Sequence, residues 1–229
     1  MDRIEKRDDK RKLFDFLSNY VSDNKKQLFD KIIQYRTRHI TVVLEDIYQP
    51  HNASAVLRSC DCFGIQDVHI IENRNIYEVN PDVALGSSKW LNLIKYNENE
   101  SNTLDAFNKL REKGYRIVAT TPHKNDTLLD DLDIDRKTAL VFGTELKGLS
   151  DIALENADAF VKIPMYGFTE SFNISVSAAI ILHHITEKLR KSDINWHLTD
   201  EEIVDIKLNW VKAVVKKSEV LEKEFFSRL

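Results

Sequence analysis

The chain is expected to fold as an α/β domain, with a parallel sheet covered by helices on both faces. Short β-branched apolar runs recur along it, among them Ile40-Thr41-Val42-Val43-Leu44 and Thr138-Ala139-Leu140-Val141-Phe142, and stretches of helical periodicity lie between them. Runs apolar at consecutive positions suit strands buried on both sides, and alternation of strand with helix is the signature of parallel crossovers. A third observation concerns position: small and polar residues gather just after several strands, where open α/β sheets keep their ligands.

Residues 9 to 35 read as two helices. Leu13, Phe14 and Leu17 share one face, Leu28, Ile32 and Ile33 another, and Ser22-Asp23-Asn24 interrupts them. The first strand follows at Ile40. After Pro50-His51-Asn52 comes a helix from Ala53 to Phe63, closed by Gly64, and then the strand Val68-His69-Ile70-Ile71. Between Asn73 and Tyr96 the pattern is irregular, with Pro81 and Gly86-Ser87-Ser88-Lys89-Trp90, and predicts a long functional loop. A helix from Thr103 to Lys113, a strand over Tyr115 to Thr120, and the strand at Thr138 come next. Ala159-Phe160-Val161-Lys162-Ile163 is the last strand of the domain. It leads through a loop to a helix that Asn173 caps and that runs to about Arg190. Thr199, with Glu202 three residues on, marks the start of further helices to about Phe226. The expected division is a helical extension over 1–38, one α/β domain over 39–191 and a second helical extension over 192–229.

Composition narrows the class of protein. With 229 residues and 42% hydrophobic content the chain can build one substantial core. No signal peptide and no apolar run of membrane-spanning length is seen, so a soluble, cytoplasmic protein without a membrane partner is expected. Cys60 and Cys62 are one residue apart on a predicted helix and cannot form a disulfide framework. The net charge is -4, but residues 1 to 38 carry eleven Lys and Arg against seven acids, a balance of +4, which leaves -8 on the remainder. A basic end on an acidic body is compatible with a polyanion-gripping segment and equally with a solvated helix face.

Three strand-end junctions hold the candidate site: Asn52 with Arg58, Gly143 with Glu145 and Gly148, and Ser171 with Asn173. Each alone has a plain structural account, as a cap, a snorkelling side chain or a turn. Together they can converge on one edge of a parallel sheet. Gly143-Thr144-Glu145-Leu146-Lys147-Gly148 lacks the Gly-Lys-Ser/Thr ending of a phosphate-binding loop, and no GxGxxG follows the first strand, so nucleotide triphosphatase and dinucleotide-binding readings are disfavoured. His51, Cys60 and Cys62 fit no usual zinc spacing, and no metal is expected. Ser171 has no nucleophile elbow, which argues against a hydrolase.

At these junctions the sequence resembles the SpoU branch of the SPOUT superfamily of RNA 2'-O-ribose methyltransferases. The matching segments are His51 to Arg58, Leu140 to Ser150, and Ile163-Pro164-Met165 through Ser171-Phe172-Asn173-Ile174-Ser175-Val176, in the family's order. The flanking helices and the Gly86 to Trp90 loop resemble the TrmH-type branch, which acts on guanosine 18 of the tRNA D-loop. The resemblance implies S-adenosyl-L-methionine as cofactor, RNA, in particular tRNA, as partner, a carboxyl-terminal trefoil knot and a homodimer. It places Thr120, Gly143, Ile163 and Phe172 against the cofactor, and Arg58, Asn52, Glu145, Ser171 and Asn173 at the catalytic centre. Ribosomal RNA or another tRNA position is the alternative substrate, and an inactive RNA-binding module a further one. Phe172 and Ser177 stand where relatives commonly have Leu and Ala, and Ala53 where they have Leu or Gly.

Under this resemblance Arg58 lies beside the ribose. A guanidinium resists deprotonation, so Arg58 is expected to stabilise charge on the 2'-oxygen, or to act as a base only with help from an RNA phosphate. Asn52 and Glu145 would orient Arg58 and the substrate, and Ser171 and Asn173 would shape the loop holding cofactor and ribose. Phosphate contacts are expected from the basic amino-terminal segment, Lys89, Lys212, Lys216 and Lys217.

Overall fold

A computed structural model describes residues 7–77, 86–121, 127–144 and 147–228. The chain forms two compact units, Thr37–Trp196 and a second made of Met1–Arg36 with His197–Leu229.

The larger unit is built on a seven-stranded sheet, all of whose pairings are parallel. Its strands are β1 (Ile40–Glu45), β2 (Asp67–Ile71), β3 (Asn92–Tyr96), β4 (Arg116–Thr120), β5 (Thr127–Leu128), β6 (Thr138–Phe142) and β7 (Ala159–Lys162), in the order β3-β2-β1-β6-β4-β7-β5. The central strand β6 pairs Ile40 with Thr138 and Leu44 with Phe142 on one side, and Val118 with Leu140 on the other. Because side chains alternate between faces, neighbours in sequence serve different cores. Ile40, Val42 and Leu44 join the layer under α3 (Pro50–Phe63) and α6 (Ile174–Arg190), with Val56, Leu57, Ile181 and Leu182. Val43 joins the layer under α4 (Asn102–Glu112) and α5 (Asp151–Glu155), with Phe107, Leu110 and Ala153.

The strands expected at 40–44, 68–71, 115–120, 138–142 and 159–163 are present, with β4 beginning at Arg116 and β7 ending at Lys162. The interval from Asn73 to Tyr96, read as one loop, contains β3 and, among its described residues, a 3-10 turn over Ser87–Trp90. β3 escaped notice because Asn92-Leu93-Ile94-Lys95-Tyr96 has polar residues at both ends of a short apolar pair, as an edge strand of the sheet allows. Pro81 lies outside the described residues. The helix expected from Ala53 begins three residues earlier, because Pro50 occupies its first turn, where a missing N–H costs nothing. Gly64 ends it with φ of 80°, a conformation that suits glycine. Cys60 is buried and Cys62 exposed, both as free thiols.

The smaller unit contains α1 (Arg7–Ser18), α2 (Asp23–Ile33), α7 (Asp200–Val214) and α8 (Ser218–Ser227). Leu13, Leu17, Phe29, Ile33, Ile206, Trp210 and Val211 are buried. Leu28, expected on the apolar face of α2, is 43% exposed and Phe29 takes the inward position. Lys10 pairs with Asp205 at 2.8 Å, Lys207 with Asp30 at 2.6 Å, and the Arg36 guanidinium lies over the Trp210 ring. Thr199 and Glu202 form the full capping box at the start of α7. Among the described residues no helix is long and apolar enough to cross a membrane.

Candidate active site

The chain leaves β1 toward one edge of the sheet, while β6, β4 and β7 lie on its other side, so the order of strands reverses beside β1. Such a switch point opens a crevice at the carboxyl ends of the strands. The three sequence segments singled out above all begin there: α3 follows β1, the Gly143–Ser150 loop follows β6, and the loop to α6 follows β7.

Two cavities occupy this edge. One, of about 230 Å³, is lined by Thr120, Gly143, Ile163, Ser171 and Phe172 together with Lys147 and Leu149. The four residues expected against the cofactor therefore surround a single space. The other cavity, of about 710 Å³, is lined by Asn52 and by residues of the segments after β1 and β2. Thr144, Lys147, Gly148, Leu149 and Ile174 line both.

The wall between them is a closed loop. Thr144 and Gly148 exchange backbone hydrogen bonds, each N–H to the other's carbonyl at 2.9 Å, and the Lys147 N–H donates to Thr144 Oγ1 at 3.1 Å. A Cβ added at Gly143 would overlap the Gly148 backbone, so this approach requires glycine. Thr120 Oγ1 donates to the Val141 carbonyl at 2.9 Å, which fixes its side chain at the cavity floor. Glu145 lies outside the described residues.

Asn173 caps α6 as expected. Its Oδ1 accepts from the Ser175 N–H at 2.8 Å and from the Ser175 hydroxyl at 2.6 Å, which leaves the amide Nδ2 to donate to Asn52 Oδ1 at 3.2 Å. Asn52 does not cap its own helix. It lies inside the first turn of α3, 4% exposed, and its Nδ2 donates to Gln49 Oε1 at 3.0 Å. The two helix starts are thus linked through side-chain amides.

Arg58 stands apart from both cavities. Six residues beyond Asn52, it lies about 120° around the helix from that first-turn position, and its exposed side chain has no hydrogen bond or ion pair to any described residue.

One residue of the site was missed. Glu45, at the end of β1, is 2% exposed, and its carboxyl group accepts three hydrogen bonds: Oε1 from the hydroxyls of Thr103 at 2.6 Å and Ser150 at 2.7 Å, and Oε2 from the Ser150 N–H at 2.9 Å. It anchors the end of the Gly143–Ser150 loop and lines the larger cavity. The signal was an acidic residue closing an otherwise apolar strand, an arrangement that burial makes costly unless partners are supplied. Among the described residues no group of His, Cys, Asp and Glu could hold a metal ion.

A parallel sheet with a switch-point crevice, small residues at a close backbone approach and capped helix starts defines a ligand-binding α/β protein. The chain belongs to the SpoU rRNA Methylase family, whose model matches residues 39–183. It is 45% identical to the tRNA (guanosine(18)-2'-O)-methyltransferase of Borreliella burgdorferi, over 94% of this chain and 97% of that protein. It is 31% identical to the enzyme of the same name from Thermus thermophilus, over 76% and 87%. Its structure is similar to the A. aeolicus TrmH/SpoU tRNA modifying enzyme, with a TM-score of 0.75 and 28% identity, covering 85% of this chain and 98% of that one.

Proposed function

We propose that the protein transfers a methyl group from S-adenosyl-L-methionine to the ribose 2'-hydroxyl of guanosine 18 in the tRNA D-loop. The observation that carries this reading is the gathering of the segments after β1, β6 and β7 around two cavities with a common wall, in a chain 45% identical to an enzyme of that name.

The smaller cavity suits the cofactor. Ile163, Leu149 and Phe172 offer apolar surface for an adenine, Thr120 and Ser171 offer hydroxyls, and the close approach at Gly143 leaves backbone groups available. When bound, the cofactor supplies a methyl group activated by its sulfonium. The chain's own residues then position and neutralise: Asn173, held by Asn52, fixes the start of α6 and with Ser171 shapes the loop, while the Arg58 guanidinium stabilises the charge that grows on the 2'-oxygen. Glu145 orients the substrate.

The reading includes a carboxyl-terminal trefoil knot and a homodimer, both carried by family membership. Exposed apolar side chains at the start of α6 support the dimer, because Phe172 is 44% and Val176 43% exposed. Arg58 then serves the partner's cavities. Residues 39–191 form the catalytic domain, and the helical extensions 1–38 and 192–229 grip RNA. Lys89, Lys216 and Lys217 are exposed, whereas Lys212 pairs with Glu222 at 2.7 Å and contributes less to phosphate binding.

Incubating the full chain with labelled S-adenosyl-L-methionine and either tRNA or ribosomal RNA transcripts, then mapping the labelled nucleotide, tests the proposal. Label at guanosine 18 is expected. Label confined to ribosomal RNA, or to another tRNA nucleotide, would reassign the substrate, and no transfer to any RNA would overturn the reaction.

A further inference from the structure

The cofactor cavity leaves the larger one, of about 710 Å³, without an occupant. Its volume is within the usual range for a ligand site of this size, about 300 to 1,000 Å³. Two features at its mouth point to a nucleotide. Tyr48, two residues beyond Asp46 on the segment after β1, lines the cavity with 74% of its surface exposed. Arg74, on the segment after β2, and Lys147, on the shared wall, also line it, and neither side chain has a hydrogen bond or ion pair to any described residue. An exposed aromatic ring lining the same cavity as two uncommitted cations matches a base with its flanking phosphates.

The mouth is held in place. Asp46 adopts a positive φ of 53°, a conformation rare outside glycine but tolerated by Asp. From it, Oδ1 accepts the backbone N–H groups of Asn73 at 2.7 Å and Arg74 at 2.8 Å, and its carbonyl accepts from Asn75 Nδ2 at 2.8 Å. The turn that carries Arg74 is therefore tied to the segment that carries Tyr48, so both are set before any ligand arrives.

We propose that this cavity receives the target nucleoside, with the base stacked on the Tyr48 ring and its flanking phosphates against Arg74 and Lys147. The assignment rests on the methyltransferase reading for the identity of the nucleoside. The wall common to both cavities places the ribose next to the methyl donor, with Asn52 on its own side.

Tyr48→Ala should lower kcat/KM for tRNA about tenfold or more, as loss of a stacking platform does. Tyr48→Phe, which keeps the ring, should stay within about twofold, and the Kd of Tyr48→Ala for S-adenosyl-L-methionine by calorimetry should be unchanged. Arg74→Ala should raise KM for tRNA and reduce the salt slope of RNA binding by about one. A transcript carrying 6-thioguanosine at position 18 should crosslink to the peptide containing Tyr48. Wild-type kcat/KM in Tyr48→Ala, or crosslinks confined to peptides outside the cavity, would overturn the assignment. If the unaltered chain transfers no methyl group to any RNA, the methyltransferase reading fails, and the crosslink still decides whether the cavity takes a base.

Discussion

The side-chain amide of Asn173 donates to that of Asn52 across 3.2 Å and so ties the first turn of α6 to the first turn of α3. The two residues are far apart in the chain and come from different strand-end junctions. Asn173→Ala removes the helix cap as well as the link, and should cost about 1 kcal/mol of stability. Asn173→Asp keeps the cap oxygen, loses the donor and adds a negative charge at the start of the helix. Urea denaturation of Asn52→Ala, Asn173→Asp and the double variant should give a coupling energy of about 0.5 kcal/mol or more. Strict additivity would mean that the link carries no energy.

Gly143→Ala should weaken cofactor binding by at least about tenfold, since the added methyl overlaps the Gly148 backbone and the loop must move. Gly86→Ala is a useful contrast. There a Cβ meets nothing within 4 Å, and the strain of φ at 78° is local, so the cofactor Kd should hold. Calorimetric titration of both variants with S-adenosyl-L-methionine checks this.

Glu45→Ala leaves the Ser150 N–H and two hydroxyls facing a buried gap, and should destabilise the protein by about 3 kcal/mol. Glu45→Gln is expected to be far milder. Its remaining oxygen can accept from the Ser150 N–H, and its NH2 can donate to hydroxyls that rotate to receive it. Equal melting temperatures for Glu45→Ala and the wild type would show that the buried acid is dispensable.

His69 on β2 is 1% exposed and shares a 2.8 Å hydrogen bond between Nδ1 and the Tyr96 hydroxyl. Burial, and secondarily the charge of Lys113, lowers its pKa from 6.5 to about 3, so the folded protein holds it neutral. The unfolded chain takes up a proton near pH 6.5 that the folded chain refuses until about pH 3. Stability is therefore full above pH 6.5 and falls through that window at about 1.4 kcal/mol per unit. Denaturation at pH 6.5 and pH 5 should show a loss of about 2 kcal/mol, and His69→Gln should flatten it. An unchanged slope in the variant would assign the effect elsewhere.

Arg58→Ala should lower methyl transfer by at least about a hundredfold while sparing cofactor affinity, as expected for a group acting on the developing charge. If Arg58 serves the partner's cavities, mixing Arg58→Ala with Asn173→Ala subunits should restore part of the activity in the hybrid. No recovery in hybrids, with each variant inactive alone, would place Arg58 and Asn173 in the same subunit's site.

Much of the fold was legible because strong periodicities left few choices. β6 was read to the residue, since an unbroken apolar run bounded by polar residues suits only a strand buried on both faces. β3 and the five-residue α5 were missed, as each is too short for a period to emerge and is held by neighbours remote in sequence. At the site, Asn173 could be recognised because capping is a local act. Glu45 leaves only the trace of an acid closing an apolar strand, because the partners that make its burial tolerable, Thr103 and Ser150, are distant along the chain. The same limit applies to Asn52, whose pairing with Asn173 depends on strand order rather than on its own helix.

The position of β6 between β1 and β4 also bears on how the chain is made. During synthesis β1 and β4 emerge before the strand that joins them, so each presents an unpaired backbone edge until residues 138–142 have left the ribosome. Fragments ending short of that point would be sticky intermediates rather than smaller working proteins, and neither ligand cavity could close until the last segment, through the start of α6, was in place.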